Sequence, residues 1–521
     1  MATGRLYRMA VGLMLLGNAV LPFPGTPPLS LPAPALMHNA QAVPSTTTVR
    51  TGGARPILQV NGKPFMPIGV TYHFTRHQSS WASDLSRMVE MGLNTVRIDL
   101  GWRDVEPYWE GFYDFSVLDR FLDQAQAYGL KVVPVLSHAT MDYNTPPWFW
   151  LGNRGWRVTR WDGKPMLGDF PSINHPGYRQ AFGDYVRVTV EHIRNHPAVL
   201  AYQVLNEPHY SQGELGDYNP YTIKRFRQWL RDRYGSIEAL NDAWTMMYSS
   251  FDIVQPERMP PVSDAIWDPH AVRWADWRQF TYQNLTEFVD YLNGIAREAD
   301  PGHMVLVAEM TWWWWGEQPY TGVSPTDIYR SADVVGFDIY PERLHDQYYM
   351  SLNADMLSRF WDKPVWVTEF NTKDGKATGE EISSFVERAI EGGATGIFFF
   401  GWRDNLRDGG SYGLLDMLGR PKNQYAEYKS VVRWLRDHEG HLVEKDLAEP
   451  DVLLIWPSRA VEVQRGSSSP AHALYREARR LIEQGMRVGV LADIRLAPED
   501  TMPPAPIPQR YGGTPLLPVV R

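Results

Sequence analysis

The chain has 521 residues, of which 44% are apolar and 21% charged, with a formal net charge of −9. That balance leaves no basic excess to neutralise phosphates, which argues against a nucleic-acid partner, and the length suits one large α/β barrel with additions better than a small domain. Cysteine is absent while tryptophan reaches 21, so disulfides, thiolate zinc sites, Fe–S clusters and thiol nucleophiles are all excluded.

In chain order, Arg5 and Arg8 precede an apolar run from Met9 to Leu21, which suits a signal-peptide core and is too short to span a bilayer. Ala40-Gln41-Ala42 is a small-x-small cleavage candidate beyond a Pro-rich stretch from Pro22 to Leu36. Residues 1–42 therefore read as a bacterial export signal, with the mature protein periplasmic or extracellular and free of the membrane. Residues 43–56 read as a linker.

Over residues 57–440, β-rich runs alternate with amphipathic stretches. The runs are 66–74, 94–102, 131–139, 199–208, 303–311, 333–341, 364–372 and 395–403. Between them, Asp84 to Met91, Val117 to Tyr128, Tyr178 to Asn195, Tyr221 to Tyr234, Trp277 to Glu298 and Glu380 to Glu391 carry helical signals. Parallel strands need such crossovers, and this alternation predicts a (β/α)8 TIM barrel. The alternative is an open doubly wound sheet, which would show a Gly-rich phosphate turn after its first strand; none is present. Beyond the barrel, Asp451 to Trp456, Pro470 to Gln484 and Arg487 to Ala492 predict a βαβ unit within residues 451–497, followed by a Pro-rich, irregular tail at 498–521.

A barrel of this kind carries its chemistry where strands end. The ends of strands one to three bring Tyr72, His73, Arg97, Asp99, Trp102 and His138. Strands four and five bring Asn206, Glu207, His209, Glu309 and Trp312. Strands six to eight bring Asp338, Tyr340, Glu369, Asn371, Trp402 and Arg403. Glu207 and Glu369 close apolar runs on strands four and seven, on roughly opposite sides of the barrel. A carboxylate buried there costs free energy unless it is paired or protonated. Two carboxyls about 5–5.5 Å apart, one a nucleophile and the other an acid then a base, are what a retaining glycosidase uses. Arg97 would keep one ionised and Tyr340 would donate a hydrogen bond to it. For either glutamate alone, a salt-bridged rim residue is the competing reading.

Asn206-Glu207-Pro208 after strand four and Glu369 after strand seven resemble the signature of clan A retaining glycoside hydrolases. The segments 93–107, 112–118, 197–207, 226–244, 277–280, 333–341 and 398–403 are similar to glycoside hydrolase family 42, the β-galactosidases. The resemblance implies that Glu207 is the acid/base, Glu369 the nucleophile and Asn206 a ligand of the sugar 2-hydroxyl. Arg97 and Tyr340 would orient Glu369, and Trp402 would wall the reacting subsite. It implies hydrolysis of terminal β-galactosides or related β-linked oligosaccharides with no cofactor and no metal; the cysteine zinc cluster of many relatives has no counterpart here. The Pro-His ending after Glu207 and the WVTEFNT run lean toward family 5, whose mannanases and glucanases are the alternative. Family 42 follows its barrel with a flavodoxin-like trimerisation domain, of which 451–497 resembles only the start, so a homo-oligomer rests on that fragment.

Other features offer competing readings. His73 and His77 raise a metal-dependent barrel hydrolase, but His73-Phe74-Thr75 lacks the His-x-His expected on strand one. His138 and His209 are candidates for hydroxyl contacts. Trp312 to Trp315 follow strand five and are expected to put at least one ring on a sugar, as are Trp102, Trp148 and Trp402, whereas Trp229, Trp244, Trp274, Trp277 and Trp434 sit in helical stretches and read as packing. Glu309 and Glu317 would bind hydroxyls or be solvated charges. A catalytically dead, glycan-binding barrel is the alternative of another class; loss of either glutamate would support it, and both are present.

Overall fold

A computed structural model describes residues 44–493, except 53–54, 137–144, 152–155, 167–169, 211–215, 259–268, 316–320, 342–346, 373–376, 406–410 and 463–469, together with 519–520. The expected export signal lies outside the described residues.

Eight strands close into a parallel barrel: β1 (Ile68–Tyr72), β2 (Thr95–Asp99), β3 (Lys131–Val135), β4 (Ala201–Asn206), β5 (Met304–Met310), β6 (Val334–Ile339), β7 (Val365–Phe370) and β8 (Ala394–Phe399). Each strand pairs with its neighbours in chain order, and β8 returns to β1 through Ile397 opposite Ile68. Strands covered on both faces need apolar residues throughout rather than alternation. Accordingly every residue of β1, β4, β6, β7 and β8 is buried.

The helices form where the apolar spacing placed them. Trp81–Met91 buries Trp81, Leu85, Met88 and Met91 and ends at Gly92, whose φ of 109° only glycine adopts readily. Gly379–Glu391 opens on a capping box between Thr378 and Glu381, a motif worth about 1 kcal/mol. The helices Pro220–Tyr234, Ile237–Trp244 and Pro269–Ala299 build a second core around Phe226, Trp244, Trp274 and Trp277, as expected of their tryptophans. Trp434 differs: it lies on an open helix face, 37% exposed. No described helix is long and apolar enough to cross a membrane.

Two expectations at the ends need correction. Within the expected linker, Thr47–Arg50 is a strand, antiparallel to Ile57–Val60, with Lys63–Pro64 as a third strand. Its β-branched Thr47, Thr48 and Val49 favour extended backbone. Ser45 Oγ donates to the Val199 carbonyl at 2.6 Å, and the Thr47 amide donates to the Gly302 carbonyl at 2.9 Å, which fastens this sheet to the N-terminal end of the barrel. There Leu58, Val133, Leu200, Leu306, Val334, Trp366 and Phe398 fill the interior.

At the other end, Val452–Trp456 and Val488–Ala492 are parallel, with helix Pro470–Glu483 between them, as predicted. The tail is not wholly irregular, since Val519–Val520 adds an antiparallel strand against Leu453 and Leu454. This unit packs on the barrel: the Val490 amide donates to Asp355 at 2.8 Å, and Tyr349 and Tyr475 stack with ring centroids 3.7 Å apart.

Candidate active site

The carboxyl-terminal end of the barrel is built from polar side chains set into otherwise apolar strands. Arg97 on β2 is fully buried and organises them. Its Nε donates to Gln203 at 2.8 Å, its Nη1 to Thr71 at 3.1 Å and to Glu369 Oε1 at 2.7 Å, and its Nη2 to Asn206. Gln203 also donates to Asn206 at 2.8 Å. Tyr340 donates its hydroxyl to Glu369 Oε2. Both oxygens of Glu369 therefore accept a hydrogen bond, one of them from a cation. Burial alone would lower the basicity of Arg97, but Glu369, Asp338 and Asp99 hold the guanidinium charged.

Glu207 follows β4 in a different setting. Its φ of +43° is left-handed, a sparsely populated conformation for a residue with a side chain, and it costs about 1–3 kcal/mol. The Glu207 amide donates to Ala308 of β5 at 3.1 Å, and its carbonyl accepts from His209 Nδ1, which holds the turn from both sides. Glu207, Asp338 and Glu369 each place a carboxylate oxygen in one cluster whose members lie within 4.8 Å of one another. Two ionised carboxylates at that separation, with an effective dielectric near 20, repel by about 3.5 kcal/mol. One guanidinium does not neutralise three charges, so protons must remain. Burial, then the neighbouring Asp338 and Glu369, push Glu207 well above the ordinary carboxyl range. Among the described residues these three carboxyls are also the group with metal-ligand spacing. The Arg97 charge bonded to Glu369 opposes a cation there.

Several expected residues fall elsewhere. His73 pairs with Asp99, and His77 stacks on Tyr72 with centroids 5.9 Å apart. His209 braces the Glu207 backbone. His138 and Glu317, and the side chain of Trp312, lie outside the described residues. Trp402 is fully buried and packs against Tyr425, so it lacks the open stacking face expected of a subsite wall. Trp102 is likewise enclosed by Trp148, Phe149, Phe182 and Tyr185. Trp313 and Trp314 are buried and donate to Asn353 Oδ1 at 3.1 and 2.7 Å, and Trp314 packs on Trp456 and Tyr475. Trp314 thereby docks the C-terminal unit. Among the described residues, Tyr108, Trp109 and Phe112 in the segment after β2 are open aromatic rings, 62%, 58% and 40% exposed. Glu309 is fully buried, so it is neither a hydroxyl ligand nor a solvated charge.

Sequence reasoning passed over Thr71, Gln203 and Thr368. Thr368 donates to Asp338 at 2.5 Å. Each is a polar residue inside an apolar strand run, which is the signal that would have found them.

A closed parallel barrel with two carboxyls in contact range, one bonded by an arginine and a tyrosine and the other pushed well above the ordinary carboxyl range by burial, is the arrangement of a clan A glycoside hydrolase. The sequence model of glycoside hydrolase family 42, described as β-galactosidase, matches residues 71–438, and the chain belongs to that family. It is 25% identical over 484 residues to a β-galactosidase of Haloferax lucentense, covering 84% of this chain and 67% of that protein. With one from Halorubrum lacusprofundi it shares 26% over 404 residues, 70% of this chain and 54% of the relative. The chain thus spans about half to two thirds of the length of these relatives. The solved structure of a Halorubrum lacusprofundi β-galactosidase superposes with a TM-score of 0.70 at 22% identity, over 82% of this chain and 67% of that one. An exo-β-1,4-mannosidase from an Opitutaceae bacterium shares the fold at a TM-score of 0.54 and 19% identity, over 84% and 71% of the two chains.

Proposed function

We propose that the protein is a retaining β-galactosidase acting on terminal β-galactosides by double displacement. The observation that carries this is that a carboxylate oxygen of Glu207 and one of Glu369 lie within 4.8 Å of each other. Retaining enzymes hold their carboxyls about 5–5.5 Å apart, whereas inverting enzymes leave about 6.5–9.5 Å for a water. Glu369 attacks the anomeric carbon as Glu207 gives its proton to the departing glycosidic oxygen. Glu207, now a carboxylate, takes a proton from water, and the resulting hydroxide displaces Glu369 with a second inversion. Arg97 and Tyr340 fix the attacking carboxylate before substrate arrives. Asn206, whose Oδ1 accepts from Arg97 and Gln203, bonds the 2-hydroxyl in this reading. Galactose as the sugar rests on the family and on the named relatives. Residues 1–42 serve as an export signal on the sequence grounds given above.

A panel of aryl β-galactosides, glucosides, mannosides and fucosides, with the first-formed anomer read by proton NMR, tests this. Fastest turnover of the galactoside with the β-anomer appearing first is expected. First release of the α-anomer overturns retention. Hydrolysis of mannan or glucan with no turnover of the galactoside overturns the substrate and favours the family-5-like reading.

A further inference from the structure

The mechanism uses two carboxyls, yet two more are buried beside them. Asp338 on β6 is fully buried and lies in register with Glu369 of β7. Its Oδ1 accepts from Thr368, while its Oδ2 is buried and meets no donor other than a neighbouring carboxyl, and a side-chain hydrogen bond links Asp338 to Glu207. Asp338 belongs to the same 4.8 Å cluster as Glu207. Glu309 on β5 is buried, and neither of its oxygens has a partner among the described residues.

We infer that Asp338 is the positioning residue of the acid: it accepts the proton of Glu207 at Oδ2, so that the Glu207–Asp338 pair holds one proton and keeps it on Glu207. This rests on the glycosidase reading of the site. Burial and the Glu369 charge push Asp338 up as they do Glu207, but Asp338 accepts from both Thr368 and Glu207, which favours its charged form, while Glu207 is the donor of the pair, which favours its neutral form. The titratable and charged groups that face Asp338 are Arg97 from β2, Glu207 after β4, Glu309 from β5, Tyr329 before β6, Tyr340 after β6 and Glu369 from β7. Arg97 is already committed to Glu369. Burial, then Glu207 and Asp338, push Glu309 well above the ordinary carboxyl range, so it stays neutral and leaves the proton with the pair. Interacting carboxyls of this kind titrate as a unit.

When Glu207 gives up its proton, Asp338 no longer receives one and its charge faces the new carboxylate. That repulsion raises the basicity of Glu207 as it must deprotonate water. One residue would thereby serve both half-reactions.

The test is the pH dependence of kcat/KM for 4-nitrophenyl β-galactoside, with pH-difference infrared spectroscopy to follow the protonated carboxyl without substrate. In Asp338→Asn the alkaline limb and the infrared midpoint should both move to lower pH by at least about one unit, about a tenfold loss of kcat/KM on the alkaline side. Thr368→Val, which takes a donor from Asp338 and leaves the pair more basic, should move the infrared midpoint the other way, to higher pH, by less. A folded Asp338→Asn protein whose limb and midpoint match the wild type overturns the inference. If that variant does not fold, an unmoved midpoint in Thr368→Val overturns it. A wild type that turns over no aryl β-glycoside defeats the glycosidase reading, while the infrared midpoint still decides where the proton resides.

Discussion

The two ends of the barrel interior are made by the same eight strands and solve opposite problems. At the amino-terminal end Leu58, Val133, Leu306, Trp366 and Phe398 fill the space with apolar volume, sealed by the sheet around Thr47–Arg50. At the carboxyl-terminal end Arg97, Gln203, Asn206, Glu207, Asp338 and Glu369 replace that volume with a polar network. On β7 the switch takes three residues, from Trp366 to Glu369. One end gains free energy from burial; the other gives some of it up to hold carboxyls where their protonation can be set.

Substitutions should therefore separate the ends cleanly. The largest effect is expected from Glu369→Ala, which should lower turnover by roughly four to six orders of magnitude while leaving the melting temperature close to wild type. Glu207→Ala should cost roughly 10²–10⁴-fold with poor leaving groups and much less with activated aryl glycosides, and its pH–rate profile should lose the alkaline limb. At the other end, Trp366→Ala should cost about 3–5 kcal/mol in denaturant unfolding and leave the pH profile of the folded enzyme in place. A shifted profile there would show that the two ends are coupled.

The smallest effect has the least common sign. Glu309 is an acid whose folded-state proton affinity lies above its unfolded value. Its burden is absent below the unfolded value of about 4.3 and grows as pH rises above it, because the unfolded chain then ionises and the folded one does not. Replacing it with Met should stabilise the protein at pH 7 by about 1–3 kcal/mol and change little near pH 4. Thermal melts at both pH values measure this.

The barrel was legible because a parallel sheet covered on both faces demands unbroken apolar runs, and polar residues gather near the carboxyl ends of those runs. Glu207, Glu369, Arg97 and Tyr340 were legible for that reason. Which carboxyl carries the proton was not, because it depends on Asp338 and Thr368 meeting across β6 and β7, a register no single run reveals. The tryptophans misled for a related reason. A ring after a strand end can face a sugar or the next layer of protein; Trp314 faces the unit around Trp456, and Trp313 is buried against Asn353. The strand at Thr47–Arg50 was hidden because its partner, Ile57–Val60, was counted as the beginning of the barrel.

The measurement that bears most directly on the whole account is covalent capture of the nucleophile. Incubation with 2,4-dinitrophenyl 2-deoxy-2-fluoro-β-galactoside followed by peptide mass spectrometry should find one fluorosugar per chain, attached to Glu369. Attachment to Glu207, Asp338 or any other residue would contradict the assignment of roles at this site.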